Sequence, residues 1–194
     1  MRAPDPISTL DVAADIAKLI SAASNSAQPA ASTTSATGVC CLQPIGQPLL
    51  GGLIIAGCTG GRVAVVDVLR GQVVAVEKLH DDDVRAVVTA SSPQQEKGNG
   101  SIAGGKANWR VVTTSFDGTG AVWSLRGTGG GDFDRGVGDR FKKVGSMLGH
   151  ADKILSAAVA VEWEDSRGRA GHSPVGVVTT GADGSTFLWK DALS

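Results

Sequence analysis

Residues 100–107, Gly100-Ser-Ile-Ala-Gly-Gly105-Lys106-Ala107, come within one residue of the Gly-x4-Gly-Lys-[Ser/Thr] loop whose backbone amides and lysine cradle nucleotide phosphates. Such a loop needs a buried strand before it, a helix N-terminus after it and a hydroxyl for magnesium. Here Ser91-Ser-Pro-Gln-Gln-Glu-Lys97 precedes it, a strand beginning at Trp109 follows, and Ala107 has no hydroxyl, so a hairpin insertion is the favoured reading. Gly127-Thr-Gly-Gly-Gly-Asp132 is a poor dinucleotide fingerprint for the same reasons, since its last glycine is missing and no helix follows. Cys40, Cys41 and Cys58 are odd in number and lack Cys-x-x-Cys spacing, and only His80, His150 and His172 accompany them, which disfavours a disulfide scaffold or a zinc site. Asp81-Asp82-Asp83 could chelate a cation or attract a basic peptide, but a solvated turn is the simpler expectation. No cofactor is expected.

The elements that must position these residues follow from composition and pattern. The chain has 194 residues, 42% of them hydrophobic, enough for one domain or a domain with a tail. Its 18 Lys+Arg against 19 Asp+Glu leave a net charge of -1, so no overall positive field draws it to nucleic acid or anionic lipid. Glycine is the unusual component: 27 residues, about 14%, roughly twice the ordinary share and without a collagen period. The longest apolar run, Leu49 to Cys58, is broken by glycines and is far shorter than the roughly 20 residues a membrane helix needs. No secretory h-region follows the N-terminus, so a cytoplasmic or nuclear protein is expected, with neither membrane nor nucleic acid as partner.

Residues 1–36 read as a tail. Ser8-x-x-Asp11 can cap a short amphipathic helix bearing Val12, Ile16, Leu19 and Ile20, and Ser21 to Thr37 form a low-complexity linker. From residue 37 onward, short β-branched runs alternate with turn residues. They predict strands near 38–43, 52–58, 62–68, 72–79, 84–90, 109–115, 119–125, 141–148, 154–162, 175–181 and 185–190, an all-β domain. Three connections, 91–108, 126–140 and 164–174, are long and rich in Gly, Ser and charge, and are expected to be insertions.

The strands repeat. Leu79-His80 and Leu148-Gly149-His150 are each followed, four residues after the histidine, by an apolar strand starting at Val84 or Ile154. Val111-Val112-Thr113-Thr114-Ser115-Phe116-Asp117-Gly118 matches Val177-Val178-Thr179-Thr180-Gly181-Ala182-Asp183-Gly184, and each Asp precedes a tryptophan, Trp123 or Trp189, by six residues. A weaker copy runs from Val39-Cys40-Cys41-Leu42-Gln43-Pro44 through Leu53 to Cys58, Gly60-Gly61 and Val65-Val66-Asp67.

This pattern resembles the WD40 repeat, over about residues 37–190. The resemblance implies a partial β-propeller of about three four-stranded blades, near 37–79, 80–148 and 149–194, the last lacking its outer strand. It also implies that a hydrogen-bonded tetrad ties each blade: His80, Thr113, Asp117 and Trp123 in the second copy, His150, Thr179, Asp183 and Trp189 in the third, and none in the first. Histidine, aspartate and a hydroxyl are also the parts of a catalytic triad, but their recurrence at repeat spacing, with the hydroxyl inside a strand, favours the structural role. No catalytic residue is therefore assigned.

Trp123-Ser124-Leu125-Arg126 is similar to the Trp-Asp-x-Arg motif with which some WD40 proteins dock the adaptor of cullin-RING ubiquitin ligases, with Ser124 in place of Asp. The three insertions all leave the end opposite the histidines. They gather Lys97, Lys106, Arg126, Arg135, Arg140, Arg167 and Arg169 on one rim, partly offset by Asp132, Asp134, Asp139, Glu164 and Asp165. That rim is the expected place for protein partners. Three blades are too few for a closed ring of 4 to 8. The chain is thus expected to be a fragment of a longer propeller, an array completed by self-association, or one completed by a partner, the first being favoured. The function implied is a non-catalytic protein-protein interaction scaffold. Its rivals are a ubiquitin-ligase substrate receptor and, more remotely, a nucleotide binder through Gly100–Lys106.

Overall fold

The computed structural model describes Ala14 and residues 38–45, 52–91, 108–126, 141–162, 173–190 and 192. The expected N-terminal helix and linker lie outside the described residues except for Ala14, as do most of the three expected insertions. Eleven strands run in chain order: β1 Val39–Ile45, β2 Leu53–Cys58, β3 Arg62–Asp67, β4 Gln72–Lys78, β5 Val84–Ser91, β6 Asn108–Ser115, β7 Gly120–Arg126, β8 Phe141–Met147, β9 Ile154–Glu162, β10 Ser173–Gly181 and β11 Thr186–Lys190. The β-branched runs form these strands because Val, Ile and Thr suit a pleated surface. Glycine turns the chain with positive φ between β2 and β3 (Gly60), β3 and β4 (Gly71), β6 and β7 (Gly118), and β10 and β11 (Gly184). One strand starts earlier than expected. β10 begins at Ser173, and Pro174 is tolerated there because β11 reaches only Gly176, so no ladder donor is needed on that side.

The strands form three antiparallel meanders, β1-β2-β3-β4, β5-β6-β7-β8 and β9-β10-β11. The third sheet has three strands among the described residues. The sheets meet through their first strands, with β1 packed against β5 and β5 against β9. Alternation along each strand then decides which neighbour a residue faces. On the second sheet Val111, Ala121, Trp123 and Leu125 share a core with Ile55, Val63, Val65 and Ala75 of the first. The intervening residues Val88, Val112 and Val122 turn the other way and pack with Val177, Val159 and Trp189 of the third. A one-residue slip would exchange the two cores.

The turns lock the sheets at one end. The amides of Leu79 and His80 donate to the Gly61 carbonyl at 2.9 and 3.1 Å, and the Gly60 amide donates to Asp83 Oδ1 at 2.9 Å. A Cβ on Gly61 would collide with the His80 backbone carbonyl, whereas one on Gly184 would meet nothing within 4 Å. Both glycines have a left-handed φ, 76° and 75°. Gly184→Ala is therefore expected to lose only the conformational cost, roughly 1–2 kcal/mol. Gly61→Ala adds a backbone clash between sheets and should lose clearly more, as urea unfolding of the two variants would measure.

Candidate functional site

The most connected polar groups lie on the second and third sheets. His80 precedes β5, Thr113 stands in β6, Asp117 and Thr119 flank the β6–β7 turn, and Trp123 stands in β7. Thr113 is completely buried and His80 nearly so. His80 Nε2 is 2.7 Å from Thr113 Oγ1, and Trp123 Nε1 donates to the same oxygen at 2.8 Å. On the other side of the ring, His80 Nδ1 is 3.2 Å from Asp117 Oδ2 and 3.1 Å from Thr119 Oγ1. One proton arrangement satisfies every group. The indole N–H donates to Thr113, the Thr113 hydroxyl donates to His80 Nε2, and His80 Nδ1–H donates to Asp117.

The third sheet repeats the set. His150 Nε2 lies 2.8 Å from Thr179 Oγ1, Trp189 Nε1 donates to Thr179 Oγ1 at 2.8 Å, and His150 Nδ1 lies 3.3 Å from both Asp183 oxygens. The eight residues named from the repeat are thus brought together as two groups of four. Two further members, Thr119 and Ser185, were missed. Each hydroxyl donates to its aspartate at 2.6 Å and contacts the histidine Nδ1. Their signal was present as Asp-Gly-Thr and Asp-Gly-Ser, since a hydroxyl two residues beyond an Asx turn folds back on the carboxylate. The amides of Asp81 and Ala151 complete the carboxylate shells at 3.0 and 2.7 Å.

These contacts set the protonation states. Burial pushes the His80 pKa below its ordinary 6.5, and Asp117 only partly opposes this. Burial pushes the Asp117 carboxyl up, but hydrogen bonds from Thr119 and the Asp81 amide outweigh it and hold the carboxyl below 3.8. Asp183 is held well below its usual range by the Ser185 hydroxyl and the Ser185 and Ala151 amides. Thr113 is no nucleophile in this setting, being fully buried with its oxygen already shared between the ring and the indole. Burial likewise pushes the Cys58 thiol up to about 12, so it stays protonated. All three cysteines are free, and among the described residues no group of three His, Cys, Asp or Glu side chains is placed to hold a metal ion.

The remaining candidates are placed only in part. Lys97, Lys106, Arg135, Arg140, Arg167 and Arg169, and the segments Gly100–Lys106 and Gly127–Asp132, lie outside the described residues. Arg126 is the last residue of β7, its backbone opposite Asn108. Asp81, Asp82 and Asp83 form the tight link into β5, where the Asp82 and Asp83 carbonyls accept from the Ser115 hydroxyl and the Phe116 amide. No helix among the described residues is long and apolar enough to cross a membrane. Compared with known protein families and with the curated proteins, the chain matches none.

Adjacent threonines of β6 give a direct test. Thr113→Val strands a buried indole N–H and a buried imidazole nitrogen and is expected to cost roughly 2–4 kcal/mol. Thr114 is equally buried, but its hydroxyl has no partner. Thr114→Val should therefore be neutral or stabilising by up to about 1 kcal/mol, both changes being read from urea midpoints.

The pH dependence follows from the same groups. The native state keeps His80 neutral to a lower pH than the unfolded chain does, so the unfolded chain takes up its proton first. The His80 contribution is complete above pH 6.5 and declines as pH falls below it toward the lowered native value; the Asp117 contribution is complete above 3.8 and is lost as pH falls through its own lowered value. Urea midpoints should therefore fall from neutral pH to about pH 5, and His80→Asn, though less stable, should flatten that slope.

Proposed function

We propose that the chain is a non-catalytic protein-protein interaction scaffold of the WD40-repeat type, a partial β-propeller in which the three sheets are successive blades. The carrying observation is the recurrence of one histidine-threonine-tryptophan-aspartate set in two successive sheets whose first strands abut. A propeller places the first strand of each blade around the axis, and the packing of β1 on β5 and of β5 on β9 agrees with that arrangement. The sets spend their polar groups on one another, so what the fold offers outward is surface.

One such surface is the outer face of the third sheet. Val88, Val112 and Val122 of the second sheet are buried beneath the third, while their counterparts Ala158, Val178 and Leu188 are exposed or half-buried, Leu188 by 51%. In this reading a further sheet, from a second copy or a partner, would cover that face as the third sheet covers the second. Affinity capture with the full chain, followed by titration of each captured protein and light scattering of the purified chain, tests this. The expected outcome is saturable binding or concentration-dependent association that Leu188→Lys weakens about tenfold without unfolding the chain, equivalent to about 1.4 kcal/mol. A monomer that unfolds cooperatively and binds no protein saturably would overturn the proposal.

A further inference from the structure

The first strands of the three sheets share an irregularity. Register shifts fall between Val39 and Cys41 in β1, between Val84 and Ala86 in β5, and opposite β9 where Thr180 pairs with Ser156 but Gly181 pairs with Ile154. The residues skipped are Cys40, Arg85 and Leu155. A bulge inserts an unpaired residue and re-aims its side chain, which is why bulges recur beside binding sites. The bulges in β5 and β9 stand at the end of their strands that bears His80 and His150, and both Arg85 and Leu155 are exposed.

Arg85 is held in a defined place. Its guanidinium carbon lies 4.7 Å from the centroid of Phe116, and Lys153 Nζ, on the link into β9, lies 5.0 Å from the same ring. Phe116 itself is fixed by its amide, which donates to the Asp83 carbonyl at 3.0 Å. One aromatic ring thus holds cations from two successive sheets beside a cleft of about 360 Å³ between the turn 116–119 and the link 148–153.

Of the nearby acidic groups, Asp82, Asp83, Asp152 and the cleft-lining Asp117 hold backbone amides, whereas Asp81 is exposed. Asp82 and Asp152 each accept the amide of the following residue at 2.7 Å, Asp83 accepts the Gly60 amide at 2.9 Å, and Asp81 faces Lys78 at 3.8 Å. Among the described residues, neither Arg85 nor Lys153 has a carboxylate partner. The engaged aspartates still repel a long acidic run, so the site favours a few carboxylates interspersed with apolar side chains.

We propose that Arg85, Phe116 and Lys153 form a docking site for an acidic peptide segment, whose carboxylates bind the two cations and whose apolar neighbour rests toward Leu155. This deepens the interaction-scaffold reading and rests on it. A guanidinium offers two parallel N–H donors to a carboxylate, and a ring that limits its motion reduces the entropy lost on binding.

Fluorescence anisotropy of a labelled Glu-Leu-Glu-Leu-Glu peptide titrated with the full chain tests it, with Lys-Leu-Lys-Leu-Lys as control. The glutamate peptide is expected to bind saturably and the lysine peptide not. Arg85→Gln and Lys153→Gln, both at exposed positions, should each weaken binding about threefold to fivefold, and the pair about tenfold or more. Phe116→Leu keeps both charges but removes the ring that holds them, and should weaken binding about threefold. Absence of saturable binding, equal binding of the lysine peptide, or unchanged affinity in the double variant would overturn the site. If the double variant binds no glutamate peptide yet retains every captured protein, the peptide site stands apart from those partners. If wild type binds captured proteins but no glutamate peptide, the site falls and the scaffold reading survives.

Discussion

The described fold depends on a single buried hydroxyl in each of two sheets. Thr113 and Thr179 are each the third residue from the C-terminal end of β6 and β10, fully enclosed, between an indole N–H and an imidazole nitrogen. Trp123 and Trp189 supply the large apolar area that fills the space between sheets, and the hydroxyl is what allows their N–H groups to be buried there. The histidine then ties that strand to the end of the sheet, because its second nitrogen faces a carboxylate in the β6–β7 or β10–β11 turn. A chain of hydrogen bonds thus crosses from strand to turn to the link that precedes the first strand of the same sheet. Removing the hydroxyl would leave two buried groups unsatisfied at once.

The first sheet meets the same constraint without polar groups. Where the repeat has threonine and tryptophan it has Ala56 and Val66, both buried, and where the repeat has Asp-Gly it has Gly60-Gly61. Its link to the second sheet runs through backbone instead. The Gly61 carbonyl receives two amides from the link that carries His80, an approach that only a residue without a Cβ permits. The same end of the molecule is therefore locked by side-chain networks on two sheets and by a close backbone contact on the other. It is also where the bulges of β5 and β9 place Arg85 and Leu155, so the rigidity that holds the sheets together also fixes the surface they present.

Much of the strand order was legible because runs such as those of β3, β4, β5 and β6 are rich in β-branched residues and a turn glycine separates β2 from β3, β3 from β4, β6 from β7 and β10 from β11. The bonded sets were legible because they repeat: one histidine means little, but two at matched distances from Thr, Asp and Trp imply a shared geometry. Thr119 and Ser185 were overlooked although they follow their aspartates by two residues, since a hydroxyl in a turn is common and its partner is apparent only once the turn closes. The repeat marked Thr113, which matches Thr179, but gave no sign that the hydroxyl of its neighbour Thr114 would be buried without a partner; the strand pleat sends one toward the histidine and the other toward the third sheet.

By itself, then, the sequence determined the local matters: where strands run, where glycine turns them, and which residues recur at matched spacing. These depend on backbone preference and side-chain type, which neighbours along the chain specify. Only the tertiary structure decided that β1, β5 and β9 abut, that Val111 and Val112 serve different cores, and that Arg85 and Lys153, 68 residues apart, share one phenylalanine. Such pairings depend on bulges and on packing between sheets. Each is a cooperative outcome of many side chains meeting at once, which no single stretch of chain encodes.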